Sequence, residues 1–151
     1  MFKRLGVIIF AVLTSTQLFA FTCYMTVVKD SCWTNFDVNM QVMDAVANKL
    51  ITTVSIPKGT AWTRQKFECS PGTKMLYKAT YTPLIWQSEV GKVYMAKNYW
   101  TLPVNIKTGD SAWDVPVCFP KEFAEVPFPP DAQGNCQCNF KVIPPVPPAK
   151  I

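Results

Sequence analysis

Hydrophobic and polar residues alternate between residues 36 and 56, and the pattern predicts a β-hairpin. Every second residue of the first half is apolar, as in a strand with one buried face. These residues are Phe36, Val38, Met40 and Val42. A polar break at residues 44–49 follows, in which Asn48 can adopt a positive φ. The alternation then resumes at Leu50, Thr52, Val54 and Ile56, until Pro57 and Gly59 end the second strand.

A helix is the alternative for the first half of this stretch. Four polar residues with helical spacing would form one stripe of such a helix. They are Asp37, Gln41, Asp44 and Asn48. Asn39 would then lie on the apolar face, and the β-branched valines would lose side-chain freedom. These two costs favour the hairpin.

Five further segments are typical of strands separated by Gly, Pro, Asn and Asp turns. We expect a strand pair in residues 22–33 and a strand in each of residues 62–69, 75–86, 93–104 and 113–119. Pro83 predicts an edge position or a bulge in the second of these single strands. The regular spacing predicts an all-β fold, an antiparallel β-sandwich. In general form this layout resembles exported immunoglobulin-like or transthyretin-like sandwiches.

The two ends of the chain differ from the middle. Lys3 and Arg4 precede a short apolar run, and Ala20 offers a cleavage point, so residues 1–20 are predicted to be a cleaved signal peptide. The run is too short to span a membrane. A retained anchoring helix is the alternative, and lipidation of Cys23 is a second, although Thr22 fits that pattern poorly. The mature chain is then a single domain of residues 21–141 and a tail, with no transmembrane span.

Residues 142–151 form a proline-rich tail. Nine of the thirteen prolines lie at or after Pro116, and proline removes the backbone donors that an internal strand needs. We expect the tail to be extended, like polyproline. Such a segment is a ligand for an aromatic groove, a spacer, or a frayed end.

Six cysteines lie in the exported part of the chain, which predicts disulfide bonds. They are Cys23, Cys32, Cys69, Cys118, Cys136 and Cys138. One intervening residue makes a bond between Cys136 and Cys138 strained, so we expect each to anchor the C-terminal segment by a separate bond. A bond between Cys23 and Cys32, across a turn, is one of the possible pairings. The competing hypothesis is a thiol-redox or soft-metal-handling protein that acts through Cys136 and Cys138.

The composition excludes several chemistries. The chain has no histidine, so catalysis by Ser-His or Cys-His and zinc sites with histidine ligands are excluded. Carboxylate pairs are better explained as solvated turn residues, and we predict no enzyme activity, metal or cofactor. The net charge falls from +5 to +3 when Lys3 and Arg4 are removed, and no basic cluster indicates a nucleic-acid site.

Exposed aromatic residues are the remaining candidates for binding. They are Trp86, Tyr99, Trp100 and Trp113. Trp113 follows a turn and is expected to be the most exposed tryptophan, although core packing explains most aromatics of residues 74–100. We therefore predict a non-catalytic binding or structural module of the bacterial periplasm or the exterior. It would dock onto an envelope protein, as a small subunit of a surface or secretion assembly. A secreted module that binds glycans or a host protein is the alternative.

Overall fold

The computed structural model describes residues 20–146, and this part of the chain is all-β, with two sheets in a sandwich-like arrangement. This confirms the predicted all-β sandwich, although one pair of strands is parallel and not antiparallel as expected. The strands are β1 (Phe21–Lys29), β2 (Asp37–Asp44), β3 (Lys49–Ile56), β4 (Trp62–Cys69), β5 (Lys74–Thr82), β6 (Tyr94–Met95), β7 (Trp100–Thr101) and β8 (Trp113–Phe119). Single 3-10 turns occur at Ser31–Trp33, Gln87–Glu89 and Phe140–Val142. The predicted signal peptide, except residue 20, and the last five residues of the tail lie outside the described residues.

The five-stranded sheet contains the predicted hairpin. Its order is β3-β2-β5-β6, and β7 also pairs with β5. β2 and β3 are antiparallel, with Val38 opposite Ile56, so the hairpin is confirmed and the helical alternative is wrong. Asn48 has φ 52° in the connecting turn, as expected. A register shift after Val42 bends the pair near that turn.

The three-stranded sheet has the order β4-β1-β8. β1 pairs antiparallel with β4 and parallel with β8, so the first and last strands of the sandwich are neighbours. The strand pair predicted in residues 22–33 is wrong. These residues supply one long strand and the 3-10 turn Ser31–Trp33, because both partners of β1 come from distant parts of the chain.

Aromatic side chains fill one end of the core between the sheets. Trp33 is fully buried and contacts Tyr81 and Phe119, with ring centroids 4.7 and 5.1 Å apart. Such tilted and edge-on ring pairs add to the stabilisation from burial. Aliphatic side chains and methionines complete the core from the inward faces of both sheets, including Met25, Val27, Met40, Val54 and Met75.

Two predicted strands are shorter than expected. β5 ends at Thr82, directly before the cis bond to Pro83, and it is an internal strand instead of an edge. Residues 93–104 form only the two-residue strands β6 and β7 against β5. Pro83 follows the end of β5, and the chain then makes the 3-10 turn Gln87–Glu89 before β6 begins.

β8 is an edge strand whose free side is largely blocked. The Cys118 N–H donates to the Glu122 carboxylate, and the Cys118 carbonyl accepts from the Glu122 N–H at 3.1 Å. In a strand, the N–H groups of residues two apart point to the same side. Pro116 lies two residues before Cys118 and has no N–H, so this edge lacks a second free donor. A proline at a sheet edge protects it from pairing with another chain.

Candidate binding surface

All six cysteines are paired in the structure. The bonds are Cys23–Cys69, Cys32–Cys136 and Cys118–Cys138. Separate bonds for Cys136 and Cys138 were expected and are confirmed. The pairing of Cys23 with Cys32 is wrong. Cys23 lies on β1 beside β4, which carries Cys69, whereas Cys32 lies beyond the end of β1, where the C-terminal segment crosses it.

Two of the bonds attach the C-terminal arm, defined here as residues 133–146, to the sandwich. Cys136 is bonded to the turn after β1, and Cys138 is bonded to the end of β8. Beyond Cys138 the arm makes the turn Phe140–Val142, and the backbone is extended at Ile143. The extended proline-rich tail predicted for residues 142–151 stays a prediction, because its residues 147–151 lie outside the described part.

Arg64 holds the arm against the outer face of the three-stranded sheet. Its Nη2 donates to the Pro144 carbonyl at 2.9 Å, and its Nη1 donates to the Pro145 carbonyl at 3.2 Å. Arg64 lies on β4, directly opposite Thr26 of β1, so both side chains point away from the core. A planar guanidinium suits two neighbouring acceptors because its donors form a rigid fork.

A polar network beneath the arm orients Arg64. The Arg64 Nε donates to the Thr26 hydroxyl at 2.9 Å, and this hydroxyl donates to Asp114 Oδ1 at 2.5 Å. Asp114 Oδ2 also lies 3.8 Å from Arg64 Nη2. Three strands thus supply one network, because β1 brings Thr26 between Arg64 on β4 and Asp114 on β8.

A groove lies between the arm and the sheet, with a volume of about 390 Å³. Most of its walls are apolar, and Arg64 and Asp114 supply the charged groups. The lining residues include Thr26, Pro116, Phe140 and Ile143. The groove therefore places a fixed guanidinium, which holds the two carbonyls of the arm, between apolar walls, an arrangement suited to an extended peptide segment.

The four predicted aromatic binding residues do not form one surface. Trp113 is half-buried and packs against Phe21 with ring centroids 4.6 Å apart, so the expectation that it is the most exposed tryptophan is wrong. Trp86 is more exposed, at 37%. Trp100 is half-buried beside β5 in the other sheet. Tyr99 is exposed, and the Lys74 ammonium lies 4.1 Å from its ring centroid.

Two buried ionisable residues lie at the end of β1. Burial lowers the pKa of Lys29, and the nearby Asp37 carboxylate opposes this shift. Burial raises the pKa of Asp30, against the opposing effect of hydrogen bonds from the Cys32 and Trp33 N–H groups. Both residues bond to backbone groups of neighbouring turns. Their positions indicate a structural role.

Between residues 20 and 146, no three His, Cys, Asp or Glu side chains are placed to hold a metal ion together. The same part of the chain contains no helix that is long and apolar enough to cross a membrane.

Comparisons with protein-family models, with curated proteins and with solved structures gave no match. The resemblance to immunoglobulin-like or transthyretin-like sandwiches therefore stays a prediction beyond the two-sheet architecture.

Arg64 is a candidate that sequence reasoning missed. Its place on the polar face of a predicted strand was visible, but nothing in the sequence links that face to the prolines.

Proposed function

We propose that this protein is an exported, non-catalytic binding or structural module of the cell envelope, and that it docks onto another envelope protein. One observation carries the proposal: a sandwich with three disulfides holds its C-terminal arm against its surface by two of these bonds and by Arg64. A rigid body lowers the entropic cost of association, because fewer groups must be ordered on binding. A small subunit of a surface or secretion assembly fits this description.

The cysteine pairing supports export. Disulfides persist in oxidising compartments and are rare in the cytosol. All six cysteines are bonded, so the arrangement favours structural bridges over the thiol-redox or soft-metal alternative. A thiol count of the native and the denatured, unreduced protein separates the two hypotheses. Structural bridges give no free thiol in either state, whereas reversible thiols at Cys136 and Cys138 would support the alternative.

Cross-linking in intact cells, followed by purification of the tagged full chain from native envelopes, tests the proposed function. We expect a defined envelope protein to co-purify in a fixed ratio. An unrelated exported disulfide protein with the same tag is the matched control. Recovery of the chain as a free monomer, with the same background proteins as the control, would contradict the proposal.

A glycan-binding module is a second candidate, and one contact favours it. The Lys74 ammonium lies over the exposed Tyr99 ring, and aromatic faces beside cations are typical of carbohydrate and peptide sites. Tryptophan fluorescence across a glycan panel tests it, with Trp86 as the most exposed reporter. Binding that is lost in Tyr99→Ala but kept in Arg64→Gln would favour this candidate.

A further inference from the structure

We propose that the outer face of the three-stranded sheet is a receptor for an extended proline-rich segment. The chain's own arm occupies this receptor, and a proline-rich segment of the partner protein competes with it. This inference rests on the proposed function and names the chemistry of the partner. Four observations carry it: the type of contact, the preorganised network, the exposure pattern of the arm, and its non-covalent attachment.

The contact matches what a proline-rich segment offers. Proline has no backbone N–H, so such a segment presents carbonyl acceptors and ring surfaces but few donors. Arg64 has donors only, and it binds the carbonyls of two consecutive prolines, Pro144 and Pro145. A polyproline segment is already extended before it binds, so little entropy is lost.

The receptor belongs to the sandwich and does not depend on the arm. Arg64 is fixed from below by Thr26 and Asp114, which lie on β1 and β8. The ring of Trp62, on the same strand as Arg64, also lies beside it, with its centroid 5.7 Å from the guanidinium carbon. Because these partners come from the strands, a displaced arm would leave the guanidinium oriented for another ligand.

Within residues 143–146 of the arm, two apolar residues three apart are more buried than the two prolines between them. Ile143 and Val146 are half-buried and line the groove, whereas Pro144 and Pro145 between them are exposed. One face of the segment therefore contacts the sheet with its side chains. A partner segment with apolar residues three apart would present the same face.

The last part of the arm is attached without covalent bonds. Both disulfides lie at or before Cys138, and within residues 140–146 the hydrogen bonds to the sandwich are the two from Arg64. Release of these residues therefore requires no reduction. The groove of about 390 Å³ beside the arm gives an incoming segment a place to begin contact.

Trypsin cleavage at Lys141 in the oxidised full-length chain reports on release of the arm. Lys141 lies in the turn Phe140–Val142, directly before the residues that Arg64 holds, and cleavage after it frees the chain from Val142 onward, because the disulfides hold only the part before it. The probe is an acetylated and amidated peptide with the sequence of residues 143–149, which lacks trypsin sites. The control peptide has alanine in place of each proline.

We expect the proline peptide to accelerate release of the fragment that begins at Val142 from the wild-type chain, and the alanine peptide to have little effect. Arg64→Gln should release the fragment faster without peptide, by about tenfold or more given two charge-assisted hydrogen bonds, and should not respond to the peptide. Lys66→Gln, on the exposed face of the same strand, is the matched control and should behave as wild type.

Two results would overturn the inference. One is a wild-type rate that does not change with saturating proline peptide, which would make the arm a fixed strap. The other is an Arg64→Gln variant with unchanged near-UV circular dichroism and unchanged cleavage. If that variant does not fold, hydrogen exchange of residues 140–146 in the wild-type chain with and without peptide decides instead. If a partner protein is captured and the proline peptide does not lower the amount captured, the result contradicts this inference alone. The proposed function would then still stand.

Discussion

Lys29 is a charged residue whose side chain is buried and bonded to backbone carbonyls. It is 3% exposed, and its Nζ donates to the carbonyls of Phe36 at 2.7 Å and Pro57 at 2.8 Å. These bonds join the segment before β2 to the turn after β3. Backbone carbonyls that are removed from water need partners, and the ammonium supplies one to Phe36. The Pro57 carbonyl also accepts from the Thr60 N–H at 3.0 Å, so the ammonium is a second donor there. Nothing in the local pattern of the sequence predicted this role.

Lys29→Met should destabilise the protein by about 1–3 kcal/mol, because the Phe36 carbonyl loses the ammonium, whereas the Pro57 carbonyl keeps the Thr60 N–H as a donor. Methionine keeps most of the side-chain volume, so the lost bonds are the main change. Urea unfolding measures the effect, and Lys58→Met at an exposed position is the control. A change no larger than that of the control would show that water replaces the ammonium at no cost.

Two aspartates should make opposite contributions to the pH dependence of stability. Burial raises the pKa of Asp30 above that of the unfolded chain, so its favourable contribution is present at acidic pH and is lost as the pH rises. The Ala47 and Val46 N–H groups lower the pKa of Asp44, so its contribution is present at neutral pH and is lost as the pH falls.

Asp30→Asn and Asp44→Asn test this opposition, because asparagine keeps an acceptor oxygen in both turns. From acidic to neutral pH, the unfolding free energy of Asp30→Asn should rise relative to wild type, and that of Asp44→Asn should fall. Thermal unfolding of the three proteins across this range measures the two differences. If the difference in unfolding free energy from wild type changes with pH in the same direction for both variants, the opposite pKa shifts of Asp30 and Asp44 are contradicted.

At the scale of the elements, alternation predicted the strands that have one wet face. β2, β4 and β8 were placed correctly because their outer residues contact solvent. β1 lacks this alternation, since its last five residues are buried on both faces. The arm and its disulfides cover its outer side. A strand covered in this way looks like a plain apolar run, so its two distant partners could not be predicted.

The β2–β3 turn depends on one residue in the left-handed region. Asn48, at φ 52°, is tolerated there because asparagine and glycine adopt this conformation easily. Asn48→Ala should cost about 1 kcal/mol or somewhat more, and Asn48→Gly should cost nothing. Asn98→Ala, at an exposed position without positive φ, is the control for urea unfolding. Equal stability of the alanine and glycine variants at position 48 would contradict this prediction.

At the scale of the whole molecule, the candidate site depends on contacts that cross most of the chain. Arg64 and Pro144 are 80 residues apart, and Cys32 and Cys136 are 104 apart. The prolines and cysteines each predicted an anchored tail. The sequence could not predict which face receives the tail, because that face exists only when β4, β1 and β8 are assembled.

The disulfides that hold the arm should differ in their effect on stability because they close loops of different length. In the chain-entropy model, loss of Cys32–Cys136, with a separation of 104 residues, costs about 4.7 kcal/mol. Loss of Cys118–Cys138, with a separation of 20 residues, costs about 3 kcal/mol. Paired substitutions to alanine, compared by urea unfolding, measure both.

The order of these two costs also separates two roles of the arm. If its bonds act only on the unfolded chain, the longer loop is the more costly one to open. If instead the arm stabilises the sheet by covering Thr26 and Val28, loss of Cys118–Cys138 is the more damaging, because that bond lies on the same face as both residues. Hydrogen exchange of β1 in each variant decides between the roles. We expect loss of Cys32–Cys136 to be the more costly of the two. The β1 amides should stay protected from hydrogen exchange in both variants as long as Arg64 keeps its hydrogen bonds to the Pro144 and Pro145 carbonyls.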